Sequence, residues 1–205
     1  MVRTLIAFLL SLLAFPAFAQ TPAPAPAPPK PPVRVEIVTS VGKFTIEMDD
    51  RAPISVRNFL RYVDQRRLDG VKFYRVVKVQ DQFGFVQFGA SGNPKRVLPP
   101  IALEPTSTTG IKHTDMTLSL PRLAPNSGGS DFTIVVGDQP SFDADPSRPG
   151  DNLGYAAFAH VVEGREVVLK IFDAPTSPTA TDRGAFKGEI PVTPVTIISA
   201  RRVVN

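Results

Sequence analysis

Strand-length apolar runs broken by turn residues recur from Val33 to Val203, and only two stretches carry helical spacing. Val33, Val35 and Ile37 alternate with Arg34 and Glu36, the period-two pattern of a half-buried strand. Ser40-Val41-Gly42 reads as a turn into a second strand, Lys43 to Met48, so the domain opens on a hairpin. Further strands are expected over Val71–Val79, Phe83–Phe88, the stretch carrying Met116, Leu118 and Leu120, Phe132–Val136, Tyr155–Val161 and Val192–Val203. The last places Val195, Ile197 and Ser199 on one face, and Gly84, Gly89 and Gly92 predict bulges or tight turns. Helices are expected from Pro53 to Gln65, where Val56, Phe59, Leu60 and Val63 share a face, and from Glu163 to Phe172, where Val167, Val168 and Ile171 do. There is no βαβ alternation and no internal repeat. The expected fold is mainly β, a closed eight-stranded antiparallel barrel capped by two helices. A sandwich with peripheral helices is the alternative.

Ahead of this domain the chain begins MVRTLIAFLLSLLAFPAFAQ. Arg3 supplies a positive start, Leu5 to Phe15 an apolar core, and Ala17-Phe18-Ala19 a small-x-small cleavage pattern. Residues 1–19 therefore read as a signal peptide cleaved after Ala19, and the run is short for a membrane span, which needs roughly 20 apolar residues. Residues 20–32, largely alternating Pro and Ala, read as an extended spacer. The folded domain is expected over 33–205, and the protein is expected to be a periplasmic monomer without a membrane anchor.

Composition narrows the chemistry. Without cysteine there is no disulfide, thiol-attached haem, cysteine nucleophile or thioether lipid anchor. The net charge of +4 falls to about +3 without Arg3, and the basic residues form pairs such as Arg66-Arg67 rather than a stripe, so no nucleic-acid partner is expected. Asp143, Asp145 and Asp151 lack the glycine and terminal glutamate of a calcium loop. No metal and no cofactor are expected. His113 and His160 lie far apart and read as structural or solvated, and Ser119, Ser127 and Ser130 have no nucleophile-elbow context. Arg75 stands out, because it shares a strand face with Phe73 and Val77 and there needs a carboxylate partner or a ligand.

Phe73-Tyr74-Arg75-Val76-Val77 resembles the FHR-hydrophobic-hydrophobic motif of cyclophilin-type peptidyl-prolyl cis/trans isomerases. The likeness runs in order through Gly42–Glu47, Ala52-Pro53 to Asn58-Phe59, Ile111–Thr114, Pro125–Ile134 (like PN-x-x-GSQFFI) and Gly154–Gly164 (like GYAVFGKVVEG). It implies a barrel with two capping helices and a cofactor-free groove that binds X-proline segments, here those of exported polypeptides.

The resemblance also implies site residues. Arg75 falls on the catalytic arginine and Gln87 on the groove glutamine, with Tyr155 beside the proline pocket. Phe85 falls on the methionine position, Phe83 or Phe85 would supply the aromatic surface, and strand alternation is expected to bury one of the two. SMAN reads Ser119-Leu120-Pro121-Arg122, the glutamine of GSQFF is Asp131, and its second phenylalanine, a main pocket wall, is Thr133. Pro121, Arg122, Asp131 and Thr133 thus join the substrate-binding set, with Arg122 and Asp131 either pairing across the groove or blocking it. The expected function is X-Pro isomerisation by electrostatic stabilisation of the twisted bond. The alternative is a non-catalytic or weakly catalytic proline-peptide-binding domain.

Overall fold

The computed structural model describes residues 31–182 and 184–204. Residues 1–30, expected to be the signal peptide and most of the spacer, lie outside them. Eight strands form one antiparallel sheet: β1 (Arg34–Thr39), β2 (Gly42–Met48), β3 (Phe73–Gln80), β4 (Phe83–Gly89), β5 (Thr117–Leu120), β6 (Asp131–Val136), β7 (Ala156–Glu163) and β10 (Ile197–Arg202). Their order is β10-β1-β2-β7-β5-β6-β4-β3. All eight coincide with apolar runs in the sequence, and all pair antiparallel. Two long helices, α1 (Pro53–Asp64) and α3 (Arg165–Phe172), match the expected pair, and α2 (Thr106–Thr109) is a single turn. A two-stranded ribbon, β8 (Thr176–Ser177) with β9 (Ile190–Pro191), lies within and just beyond a stretch expected to be loop.

The sheet curls around a core in which side chains from alternate strand positions meet. Phe59 of α1 packs edge-on against Phe132 of β6 at 5.0 Å, and Phe132 also meets Phe88 and Phe158. Phe73 and Phe88 pair across β3 and β4 at 4.9 Å. These rings are fully buried, and each contributes on the order of 1.5–3 kcal/mol by leaving water.

The sheet is an open half-barrel rather than a ladder closed all round. Its end strands β10 and β3 meet only through a bridge between Lys72 and Thr196 and backbone bonds among residues 70–73 and 195–197. Proline donates no ladder hydrogen bond, and Pro191 and Pro194 interrupt the approach to β10. Strand β10 is consequently shorter than expected and begins at Ile197. A bulge opposite Val38 and Thr39 turns Ile198 outward, so Ala200 rather than Ser199 shares the inner face with Val195 and Ile197.

Helix α1 starts at Pro53 without a side-chain cap of its own. Glu104 supplies the cap from a distant loop: it accepts the Ile54 N–H at 2.9 Å, the Ser55 N–H at 2.7 Å and the Ser55 hydroxyl at 2.7 Å. A carboxylate there answers both the unpaired amides and the positive end of the helix. One turn on, Asn58 Nδ2 donates to the Gly129 carbonyl at 2.7 Å, tying α1 to the loop between β5 and β6.

Candidate active site

The outer faces of β3, β4, β6 and β5 form the floor of a groove of about 550 Å³. Register places Arg75 opposite Gln87, Gln87 opposite Thr133, and Thr133 opposite Ser119, a row across four strands. Directly paired residues in an antiparallel sheet point to the same face. In β4 the alternation sends Val86 and Phe88 into the core and Phe85 and Gln87 into the groove.

Arg75 is held from three directions. Its Nε donates to Glu189 Oε2 at 2.6 Å and its Nη1 to Gln87 Oε1 at 2.9 Å, while Nη2 has no partner among the described residues. The Phe186 ring lies 4.1 Å from the guanidinium carbon and the Phe85 ring 5.1 Å. Gln87 spends its other end on Thr133, donating from Nε2 to the hydroxyl at 3.0 Å. The Thr133 hydroxyl keeps its own proton for a further acceptor.

A family profile described as cyclophilin type peptidyl-prolyl cis-trans isomerase/CLD matches residues 34–202. The chain belongs to the cyclophilins. It is 34% identical to the peptidyl-prolyl cis-trans isomerase cyp18 of Streptomyces antibioticus, covering 82% of this chain and 96% of that one. It is 33% identical to a peptidyl-prolyl cis-trans isomerase of Acinetobacter baylyi (82% and 84% covered) and 32% identical to peptidyl-prolyl cis-trans isomerase A of Dickeya dadantii (94% and 92%). The crystal structure of a cyclophilin of Cryptosporidium parvum superposes with a TM-score of 0.66 at 19% identity, covering 84% of this chain and 98% of that one, which establishes the shared fold.

The cyclophilin groove gathers Arg75, Gln87, Phe85, Pro121, Arg122, Asp131, Thr133 and Tyr155, all expected from the sequence. Phe83 does not line it, and neither Phe83 nor Phe85 is core. The two are separated by two positions, so alternation puts both on the outer face, and only Phe85 reaches the site. Arg122 and Asp131 do not pair. Arg122 makes a two-pronged bond to Asp151, 2.7 Å on each oxygen, and donates from Nε to the Gly154 carbonyl at 2.8 Å. Gly154 has φ +61, and an added Cβ would collide with the Phe142 carbonyl, so the turn that presents this acceptor requires glycine. Arg122 is thus drawn to the groove's rim. Its hydrogen bonds pull the Asp151 pKa down to about 2. Asp131 instead accepts the Ser91 N–H at 3.3 Å.

Among the residues in or beside the groove that the sequence reading did not assign to it, three stand out. Phe142, in a turn at Pro140–Phe142, packs 5.7 Å from Phe85 and 5.2 Å from Tyr155, building an aromatic wall in the groove that Thr133 also lines. Glu189 and Phe186 approach Arg75 from the far end of the chain. None lies in a long periodic segment, so pattern gave no signal for them.

His113 is buried and structural, as expected, but its partners form a Ser-His-Asp row. Nδ1 lies 2.8 Å from Asp143 Oδ1, and Nε2 lies 2.8 Å from the Ser119 hydroxyl on the groove floor. Burial lowers the His113 pKa, against the opposing pull of Asp143. Ser119 sits mid-strand, paired on both sides by β6 and β7, so no free backbone amides converge on it to stabilise an oxyanion. The row buttresses the floor. Asp143, Asp145 and Asp151 are each engaged by cationic or hydroxyl side chains, and among the described residues no group of three or more His, Cys, Asp or Glu is placed to hold a metal.

Proposed function

We propose that this cyclophilin isomerises X-Pro bonds of exported polypeptides in the groove, through Arg75 and without a covalent intermediate. Rotation about a peptide bond faces a barrier of roughly 18–20 kcal/mol because resonance must be broken. As the bond twists, the prolyl nitrogen regains its lone pair and becomes a hydrogen-bond acceptor. A donor fixed in advance stabilises that state without reorganising during the reaction. The observation that carries the reading is the state of the Arg75 guanidinium: two nitrogens tied down, the third without a partner among the described residues. Gln87 holds the fork, Phe85, Phe142 and Tyr155 offer the proline ring apolar surface, and Pro121 and Thr133 complete the floor. Membership of the family, with curated relatives named peptidyl-prolyl isomerases, supports the same reading.

A second reading has its own observation. Thr133 makes part of the floor hydroxylic where the family motif carries an aromatic wall, which suits a domain that binds proline peptides and turns them over weakly. Phe142 favours catalysis, since it supplies an aromatic wall from a neighbouring turn.

The leader at 1–19 and the removable spacer support a periplasmic address, and no helix among the described residues is long and apolar enough to cross a membrane. The test is magnetisation exchange between the cis and trans signals of an X-Pro peptide, recorded with catalytic amounts of the mature protein. Accelerated exchange is expected. Binding without acceleration, for every residue X tried, would favour the second reading.

A further inference from the structure

Residues 184–190 run over Arg75, and their fastening is specific. The Val76 N–H, one residue beyond Arg75 on β3, donates to the Glu189 carbonyl at 2.8 Å. This places the Glu189 carboxylate on Arg75 Nε at 2.6 Å. The Glu189 N–H bonds back to the Phe186 carbonyl at 3.0 Å, and Asp182 and Ala185 exchange both backbone bonds at 2.9 Å, so the segment is two consecutive tight turns. At the bend Phe186 adopts φ +61, a left-handed conformation rare and costly for an aromatic residue. The bend lays its ring 4.1 Å from the guanidinium carbon while the ring, half-buried, lines the groove.

We infer that this strap does two things for the reaction proposed above, on which the inference rests. Glu189 is a positioning residue: it fixes the guanidinium plane through Nε and leaves Nη2 as the donor. Phe186 is a specificity residue: its ring is the groove's wall on the Glu189 side of Arg75 and selects a large apolar side chain next to proline in the bound peptide. A structural clamp would need the carboxylate but not an aromatic ring held over the groove in a strained backbone conformation. Left-handed backbone suits glycine, so Phe186→Gly removes the ring while favouring the same turn.

The experiment measures kcat/KM, and separately Kd, for peptides carrying Ala, Leu or Phe on either side of proline. Wild type is expected to prefer Leu or Phe on one side. Phe186→Gly is expected to cut that large-to-small preference at least fivefold without a fall in Tm, and Phe186→Leu to keep part of it. Glu189→Ala is expected to lower kcat at least tenfold on all peptides with KM changed less than twofold, and Glu189→Gln, whose amide oxygen still accepts from Nε, to recover part of kcat. An unchanged preference in Phe186→Gly, or equal losses in kcat and 1/KM for Glu189→Ala, would overturn the inference. If wild type and Arg75→Ala turn over equally, the proposed function fails instead, and the Kd series still decides the Phe186 claim.

Discussion

Gln87 Nε2 donates to the Thr133 hydroxyl at 3.0 Å while Gln87 Oε1 accepts from Arg75 Nη1 at 2.9 Å, so the donor-only guanidinium sets which way the groove glutamine faces and a threonine on the next strand anchors its other end. The row is therefore a relay: Arg75 draws the Gln87 oxygen, Thr133 accepts from the Gln87 nitrogen, and the side chain held at both ends keeps the guanidinium aligned. Thr133→Val keeps the shape and removes the acceptor. The buried Gln87 N–H would lose its partner at a cost of about 1–3 kcal/mol. A drop of that size in chemical denaturation is expected, with lower kcat as the amide, now held at one end only, loosens its grip on the guanidinium. A variant as stable and as active as wild type would contradict the relay.

Glu104 is the missing cap of α1. Glu104→Ala leaves two first-turn amides and the Ser55 hydroxyl without their acceptor. The loss expected is about 2–3 kcal/mol, since hydrogen bonds to a charged group are the stronger kind. Denaturant midpoints with an unchanged m-value read it directly. A loss below about 0.5 kcal/mol, the low end for caps, would show that the carboxylate adds little.

The Arg122–Asp151 contact makes a local prediction. Asp151 titrates near 2 because Arg122 donates to it. Arg122→Ala should raise its carboxyl pKa from about 2 toward the ordinary 3.8, with the Leu153 N–H still holding it below that value, followed by carboxyl carbon shifts in NMR. The Gly154 carbonyl loses a donor at the same time, so the β7 end of the groove should loosen, seen as faster amide exchange around Tyr155. An Asp151 that still titrates near 2 would place the cause elsewhere.

Stability should fall on acidification. Burial lowers the pKa of both His113 and His160 from the ordinary 6.5. The unfolded chain therefore binds protons that the folded chain refuses. Stability is fully present above pH 6.5 and is lost as pH falls through the depressed folded values. Protonated His113 would also have to donate to Ser119 from a nitrogen that now accepts, with Asp143 and Lys112 the charged groups facing it. A Tm series from pH 8 to pH 5 should decline, and His113→Gln should flatten the slope. A Tm that rises toward pH 5 would contradict this.

Much of the fold was legible because strands and amphipathic helices announce themselves by period. The eight strands and both long helices sit where Val35, Phe44, Val76, Phe132 and Val167 recur in register with their neighbours. Arg75 drew notice as an arginine among apolar residues, but its role and the choice of Gln87 came from the resemblance of the motifs around them, not from period. Closure of the barrel was overestimated, because apolar pattern does not reveal that Pro194 interrupts pairing. The Glu189–Arg75 contact spans 114 residues and depends on the turn closed by the Glu189 N–H on the Phe186 carbonyl, which no local periodicity encodes. Pairing with Asp131 was one of two options open for Arg122, and the choice of Asp151 instead is a matter of loop geometry that no pattern encodes.

The central claim is that a pinned guanidinium at position 75 drives X-Pro isomerisation. Its most direct test is kcat/KM of Arg75→Lys beside wild type on one X-Pro peptide. Lysine keeps the charge and loses the planar fork that Glu189 and Gln87 hold. The account predicts a loss of about 100-fold, roughly 2.7 kcal/mol of transition-state stabilisation. Activity within twofold of wild type would contradict it.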